Sequence, residues 1–491
     1  MKEKAEIFLV QESMVWAVIC AAAQNTIVQV FAQIGQFDWC KPYRIEAQYE
    51  NFGTGFLIDD NGHVVTNSHV VENAKYIWIQ VPILGRQKLD VEVIGICPDR
   101  DIALLKICDS DIEIVRQALG IVPFLSLGDS DKVKNADGVL VIGYPLGQYH
   151  IKSTTGIVSG REFVLTGTLL QVTAPINPGN SGAPLMNAQG QVIGIAVAIV
   201  ADAQNVGYAI PINELKIIFD DLRIKKFMRR PYLGIRFVVS SDEKARFFNN
   251  PLPAGLYVAQ VFPNTMFARA GVQAGDMLYA FNGAILDAYG EVYAEGIASK
   301  ISIYDLISLV RVKEEVKLII YRNGERKELT CIIDDNPPFA IRKKYPNYES
   351  VSYDTIAGMV VMELAINHIE VLLKDYPELI RFYQPENRVE PALIITNIVP
   401  GSYASQVGSL QPGDIIYKMN DIPVKTLDDW SKALEKSLET GFVVLITDHN
   451  VLTVLLLEKI LTDEIKLSEA FEYPISQTVK KMQQLTKSNQ S

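Results

Sequence analysis

One segment of this chain occurs twice, and the repeat limits the possible folds more than any other feature. Val261-Phe262-Pro263-Asn264-Thr265 aligns with Ile398-Val399-Pro400-Gly401-Ser402, about 137 positions further on. After a one-residue insertion, Gln273-Ala274-Gly275-Asp276-Met277-Leu278-Tyr279 aligns with Gln411-Pro412-Gly413-Asp414-Ile415-Ile416-Tyr417. Each copy runs on through a polar turn, Asn282-Gly283 or Asn420-Asp421, into a helical stretch and a final strand pair. Two domains of one kind therefore fill the second half, over 230–335 and 350–460, with 461–491 as a polar C-terminal tail. The copies have diverged. The second has the longer stretch before its turn, and the first has the longer one after it, Ile285 to Ser302, which reads as a surface loop. At 491 residues and 48% hydrophobic, the chain has room for about three domains. Residues 1–225 are left for a different one.

That N-terminal part is rich in β-branched, glycine-spaced segments, which predict strands. Its most informative stretch is Asn177-Pro178-Gly179-Asn180-Ser181-Gly182-Ala183-Pro184. A serine between glycines suits a nucleophile flanked by backbone N–H donors, and it also suits any sharp turn. A serine hydroxyl needs a base, and the chain has only five histidines, His63, His69, His150, His368 and His449. His69 closes a strand-like run from Gly62, where the chain reaches a small polar turn. His63, after Asn61-Gly62, reads as an exposed turn residue. For the orienting acid, Asp99 and Asp101 both precede the apolar strand from Ile102, and Asp101 is preferred because it adjoins the strand.

Thr66-Asn67-Ser68-His69-Val70-Val71, Asp101-Ile102-Ala103-Leu104-Leu105-Lys106 and Asn177 to Gly182 resemble the three catalytic blocks of the HtrA/Deg serine proteases. The order His, Asp, Ser is that of chymotrypsin-like enzymes. Gly53-Thr54-Gly55-Phe56, Gly143-Tyr144-Pro145-Leu146-Gly147 and Thr155 to Gly160 match as well, and the resemblance runs from about residue 14 to about 460. It implies a mainly β chain, a chymotrypsin-like double six-stranded β-barrel followed by two PDZ domains. It also implies that Ser181 attacks, His69 moves the proton, Asp101 orients His69, and the N–H groups of Gly179 and Ser181 form the oxyanion hole. Ala183 departs from the family pattern, which has a second glycine there, and its methyl is expected to narrow the site slightly.

By the same resemblance, Tyr232-Leu233-Gly234-Ile235 and Ala357-Gly358-Met359-Val360 are the loops that would bind a peptide carboxylate in the two PDZ copies. Ala174, Pro175, Ile176, Ile195, Ala196 and Val197 are the candidates for the specificity pocket. With no acid among them, cleavage is expected after small or medium apolar residues, which unfolded clients expose. The implied protein is an ATP-independent endopeptidase of misfolded or unfolded proteins, a homotrimer or assembly of trimers, that binds C-terminal peptides. The alternative is a PDZ-containing holdase with a latent hydrolytic site.

The net charge is -11, and with no basic cluster nucleic acid is not expected as a partner. No metal or cofactor is expected. The five cysteines fit neither a zinc pattern nor a disulfide framework. Cys97 and Cys108 flank the acid block, and free thiols are expected in preference to a bridge. Met14 to Ala23 is an apolar run of ten residues, too short to span a bilayer. It reads either as a signal-peptide core, diluted by Glu3, Glu6 and Glu12, or, preferred, as the family's N-terminal helix. Family members are commonly periplasmic or cell-envelope proteins, and the chain itself does not fix a location. Leu215, Ile218, Phe219 and Leu222 have helical spacing, and the basic run Arg223 to Arg230 reads as a linker.

Overall fold

The computed structural model describes residues 14–164, 167–197, 206–293 and 300–490. Residues 1–13, with the three N-terminal glutamates, and 294–299 of the Ile285 to Ser302 segment lie outside them. The chain divides into two compact units. One comprises the residues up to Ile34 with Gln48–Asn336, and the other Gly35–Ala47 with Pro337 onward.

The first unit opens with a helix over 14–23, whose Ile19 and Ala23 join the core shared with the barrel strands. Two closed six-stranded barrels follow. In the first, His63–Thr66 is buried along its whole length and pairs with Ile102–Ile107, Val65 opposite Leu104. This pairing brings the segments holding His69 and Asp101 to the same end of the barrel. His63 itself is only 7% exposed, and its Nδ1 lies 2.6 Å from Asp59 Oδ2. The turn expected at this histidine is made by Asp59 to Gly62, and His63 already belongs to the strand. In the second barrel, Val192–Val197 is fully buried and pairs with Pro184–Met186 and with Gly207–Pro211. A strand covered on both faces has no polar alternation, so its sequence is one apolar run.

The helix Ile212–Leu222 packs through Leu215, Ile218 and Leu222, with Phe219 partly buried against the same core. The first repeat completes this unit, with a sheet ordered Ile235–Val238, Leu256–Val261, Met277–Phe281, Glu315–Arg322, Glu325–Ile332. Its extra segment forms a two-stranded ribbon, Glu291–Tyr293 against Lys300–Ser302.

The second unit holds the other repeat, on a sheet that gains a strand at one edge, Tyr353–Ile356. Its core takes in Trp430, the bulkiest of the fully buried side chains. The segment Gly35–Ala47, which links the first two barrel strands, belongs to this unit. The Trp39 ring meets His368 edge-on at 5.0 Å, and Thr396 Oγ1 donates to Cys40 O at 3.0 Å. The tail expected from residue 461 is instead helical, as Leu457–Phe471 and Gln477–Gln490. Val479 and Met482 join Ile460 and Leu461 in the core. The apolar stripe is only a few residues wide and is hidden in polar composition, which is why it reads as a tail.

Candidate functional site

His69 lies in the short helix Ser68–Val71, entered from the buried strand before it. Its Nδ1 is 2.8 Å from Asp101 Oδ2, and its backbone N–H donates to Asp101 Oδ1 at 3.0 Å. Asp101 has φ 53° and ψ 43°, a left-handed conformation that aspartate tolerates better than most residues. Asn67 Nδ2 donates to the Asp101 carbonyl at 3.0 Å and fixes that bend. Asp99 points elsewhere and accepts from Arg230 N–H at 3.0 Å. Partial burial by itself lowers the His69 pKa, but the hydrogen bond to Asp101 and the charges of Asp101 and Glu72 outweigh it, and the net shift is upward.

The serine loop is held by its carbonyls. Leu146 N–H donates to Pro178 O at 2.6 Å, Thr54 Oγ1 to Gly179 O at 2.7 Å, Ala183 N–H to Asn180 O at 2.9 Å, and Thr54 N–H to Ser181 O at 2.8 Å. Four consecutive carbonyls are thus engaged. Among the described residues, the N–H groups of Gly179 and Ser181 have no acceptor. Unpaired backbone donors beside a serine are the kind of group an oxyanion requires. Gly179 has φ 95°, and a Cβ there would lie 2.4 Å from Tyr144 O. Gly182, at φ 86°, is equally restricted, since a Cβ would sit 2.1 Å from Thr54 O.

Ala183 escapes that restriction. It is fully buried in the second barrel's core, its methyl facing the position where a Cβ on Gly143 would be, at 3.1 Å. The methyl lies in the same cluster as Ala174 and Ala196.

The six pocket candidates separate. Ala174, Ile176 and Ala196 share one cluster with Ala183, Ile195 and Val197 face the other core, and Pro175 is exposed. The alternation of the strand decides this, since neighbouring residues face opposite sides. In the first repeat, Gly234 has φ 75°, Leu233 and Ile235 are core residues, and Tyr232 is 37% exposed. In the second, Ala357, Met359 and Val360 are buried, and Ala357 N–H donates to Glu464 Oε2 at 2.9 Å.

Sequence reasoning did not single out Thr54, Leu146 or Asn67 as parts of the site. Thr54 and Leu146 lie in the Gly53 and Gly143 motifs, but the motif gives no clue that a hydroxyl and one left-handed residue, Leu146 at φ 55°, hold the serine loop. A further link is Arg100, next to Asp101, whose Nη2 donates to Ser308 O of the first repeat at 3.0 Å. All five cysteines are unpaired, with Cys97 and Cys331 buried. Among the described residues, no cluster of acids, histidines and cysteines is arranged to hold a metal, and no helix is long and apolar enough to cross a membrane.

Residues 53–195 match a trypsin-like peptidase domain, and residues 231–333 and 394–446 each match a PDZ domain. A probable periplasmic serine endoprotease, DegP-like, of Pseudomonas putida strain F1 is 29% identical over 410 residues, covering 82% of this chain and 78% of that protein. A putative serine protease HhoB of Synechocystis is 30% identical over 307 residues, covering 59% of this chain and 68% of that one. Among solved structures, an HtrA-type protease AlgW with a tripeptide superposes with a TM-score of 0.51 at 24% identity, over 66% of this chain and 98% of that one. At that identity the likeness speaks for the fold alone.

Proposed function

Because this chain belongs to the HtrA/DegP family of serine endopeptidases, we propose that Ser181 is its nucleophile, His69 its general base and Asp101 the residue that orients His69. Ser181 Oγ attacks the scissile carbonyl while His69 takes its proton, and His69 then returns that proton to the leaving amine. The negative oxygen of the tetrahedral intermediate is met by the N–H groups of Gly179 and Ser181. One such donor contributes on the order of 3 kcal/mol to lowering the barrier. The observation that carries this reading is the serine loop itself. The carbonyls of residues 178 to 181 are all engaged, while among the described residues the N–H groups of Gly179 and Ser181 have no acceptor.

The substrate side follows from the lining. Ala174, Ile176 and Ala196 are apolar and uncharged, and as the lining of the specificity pocket they suit small or medium apolar residues before the cut. Folded proteins bury such residues, so unfolded or misfolded chains are the clients. The first PDZ repeat captures exposed C-terminal ends at the Tyr232 to Ile235 loop, and Arg100 connects its helix Ile303–Ser308 to the Asp101 turn. We assign 1–225 to the protease domain, 230–335 to the first PDZ domain and 350 onward to the second, including the C-terminal helices. The working assembly is a trimer or a multiple of trimers.

Replacing the nucleophile tests the core of this. Ser181→Ala is expected to leave the circular dichroism spectrum unchanged while abolishing cleavage of an unfolded protein and labelling by a fluorophosphonate probe. Equal cleavage by the two forms would sink the assignment. In the wild type, a C-terminal peptide that raises the labelling rate supports control through the first repeat.

A further inference from the structure

The two PDZ repeats can be superposed by their own hydrogen bonds. Phe262 N–H donates to Gly234 O and Val399 N–H to Gly358 O, both at 2.8 Å. A Cβ on Gly234 would strike Thr265 and one on Gly358 would strike Ser402, each at 2.1 Å. Gly234 and Gly358 are therefore the same position, and the strands that follow, Ile235–Val238 and Met359–Glu363, are the same strand.

Around that position the copies differ. Among the described residues, Ile235–Val238 is an edge strand paired only with Leu256–Val261, and the N–H groups of Leu233 and Gly234 meet no acceptor. Met359–Glu363 is paired on both sides, with Leu393–Ile398 and with Tyr353–Ile356 in four residue pairs. The turn between them is tight, with Ala357 at φ 53° and Gly358 at φ 82°. The loop amide of Ala357 donates to Glu464 Oε2 at 2.9 Å, and Tyr473 Oη donates to Glu464 Oε1 at 2.8 Å. Glu464 is fully buried. From the flanking helix Leu427–Glu435, Trp430 Nε1 donates to Asp354 Oδ2 at 2.9 Å, which binds the added strand on its other side.

We infer that the second repeat carries its own ligand: Tyr353–Ile356 lies where a client's extended end would add to the sheet, and the Glu464 carboxylate takes the seat of its terminal carboxylate. A PDZ site works by these two contacts, edge-strand addition and carboxylate capture by loop amides, and both are satisfied internally here. Client ends are then read by the first repeat alone, a statement that rests on the proposed role of that repeat. Glu464 comes from the helix Leu457–Phe471, so the C-terminal helices hold the site closed.

Hydrogen exchange on the full chain tests this, in the Ser181→Ala background so that no peptide is cut. A decapeptide with a free apolar C-terminus is expected to slow exchange about tenfold over 233–238 and to leave 353–363 unchanged. Protection of 353–363 overturns the inference. The ligand itself is tested without peptide. Glu464→Ala is expected to speed exchange over 353–358 about tenfold, whereas Glu464→Gln, which keeps an acceptor oxygen, stays within about twofold. Unchanged exchange in Glu464→Ala overturns the inference. If that variant unfolds the repeat, Glu464→Asp, one methylene short of Ala357, is read in its place by the same criterion. Failure of the peptide to protect either loop defeats the proposed role of the first repeat, and the Glu464 variants then decide the second by themselves.

Discussion

The two repeats share a sequence pattern and a glycine at the same structural position, yet the strand after that glycine is an open sheet edge in one and is paired on both sides in the other. The difference lies in what precedes the glycine. In the first, Leu233 sinks into the core and the chain before it forms no strand. In the second, Ala357 turns left-handed and sends Tyr353–Ile356 back along its neighbour. A sheet edge is a row of unpaired donors and acceptors that will pair with something. In the second copy the partner is supplied by the chain, and in the first it is left to be supplied from outside.

Three changes would break or sharpen this contrast. The largest effect is expected from Trp430→Ala, which empties the centre of the second core and removes the hydrogen bond to Asp354. A cost of about 3–5 kcal/mol should appear as a lower unfolding midpoint for the second repeat, with the first unaffected. Next is pH. Burial, with the nearby charges of Asp354 and Asp463, pushes the Glu464 carboxyl up to about 7, against the lowering effect of Tyr473 and the Ala357 N–H. A folded-state pKa above the unfolded one means that the folded form holds the proton more tightly. The stabilisation is therefore complete below about pH 4.5 and is lost as pH rises through about 7, on the order of 3 kcal/mol in all. Thermal unfolding between pH 5 and 8 should show the second repeat weakening as pH rises. Glu464→Gln should flatten that slope, and the first repeat, which among the described residues has no carboxylate bonded to the loop amides of Leu233 and Gly234, should show no such trend. The smallest effect is expected from Tyr473→Phe, about 1 kcal/mol for one lost hydrogen bond, with faster exchange at 353–358 as its local signature.

The members of the candidate site could be picked out along the chain because their chemistry is local. Serine between glycines, histidine at a strand end and aspartate before an apolar strand each mark themselves. What holds them is not local. Thr54 reaches Gly179 across 125 positions, and nothing in Gly53-Thr54-Gly55 says that its hydroxyl will find that carbonyl. Which way the pocket candidates face was not legible, for a related reason. Ile195, Ala196 and Val197 look alike in sequence, but strand pleating sends Ala196 to one side and its two neighbours to the other. The C-terminal helices were missed because Leu461, Val479 and Met482 form a stripe only against a core already in place.

By itself the sequence determined the class of chemistry, the β-rich barrel segments and the existence of two like domains, because each is written in short-range residue patterns. Only the tertiary structure decided which N–H groups stay free at Gly179 and Ser181, which way the Ala183 methyl points, and that Glu464 lies on the second repeat's loop. Each of these depends on a contact between residues far apart in the chain, whose geometry is set by packing and not by the neighbours in sequence.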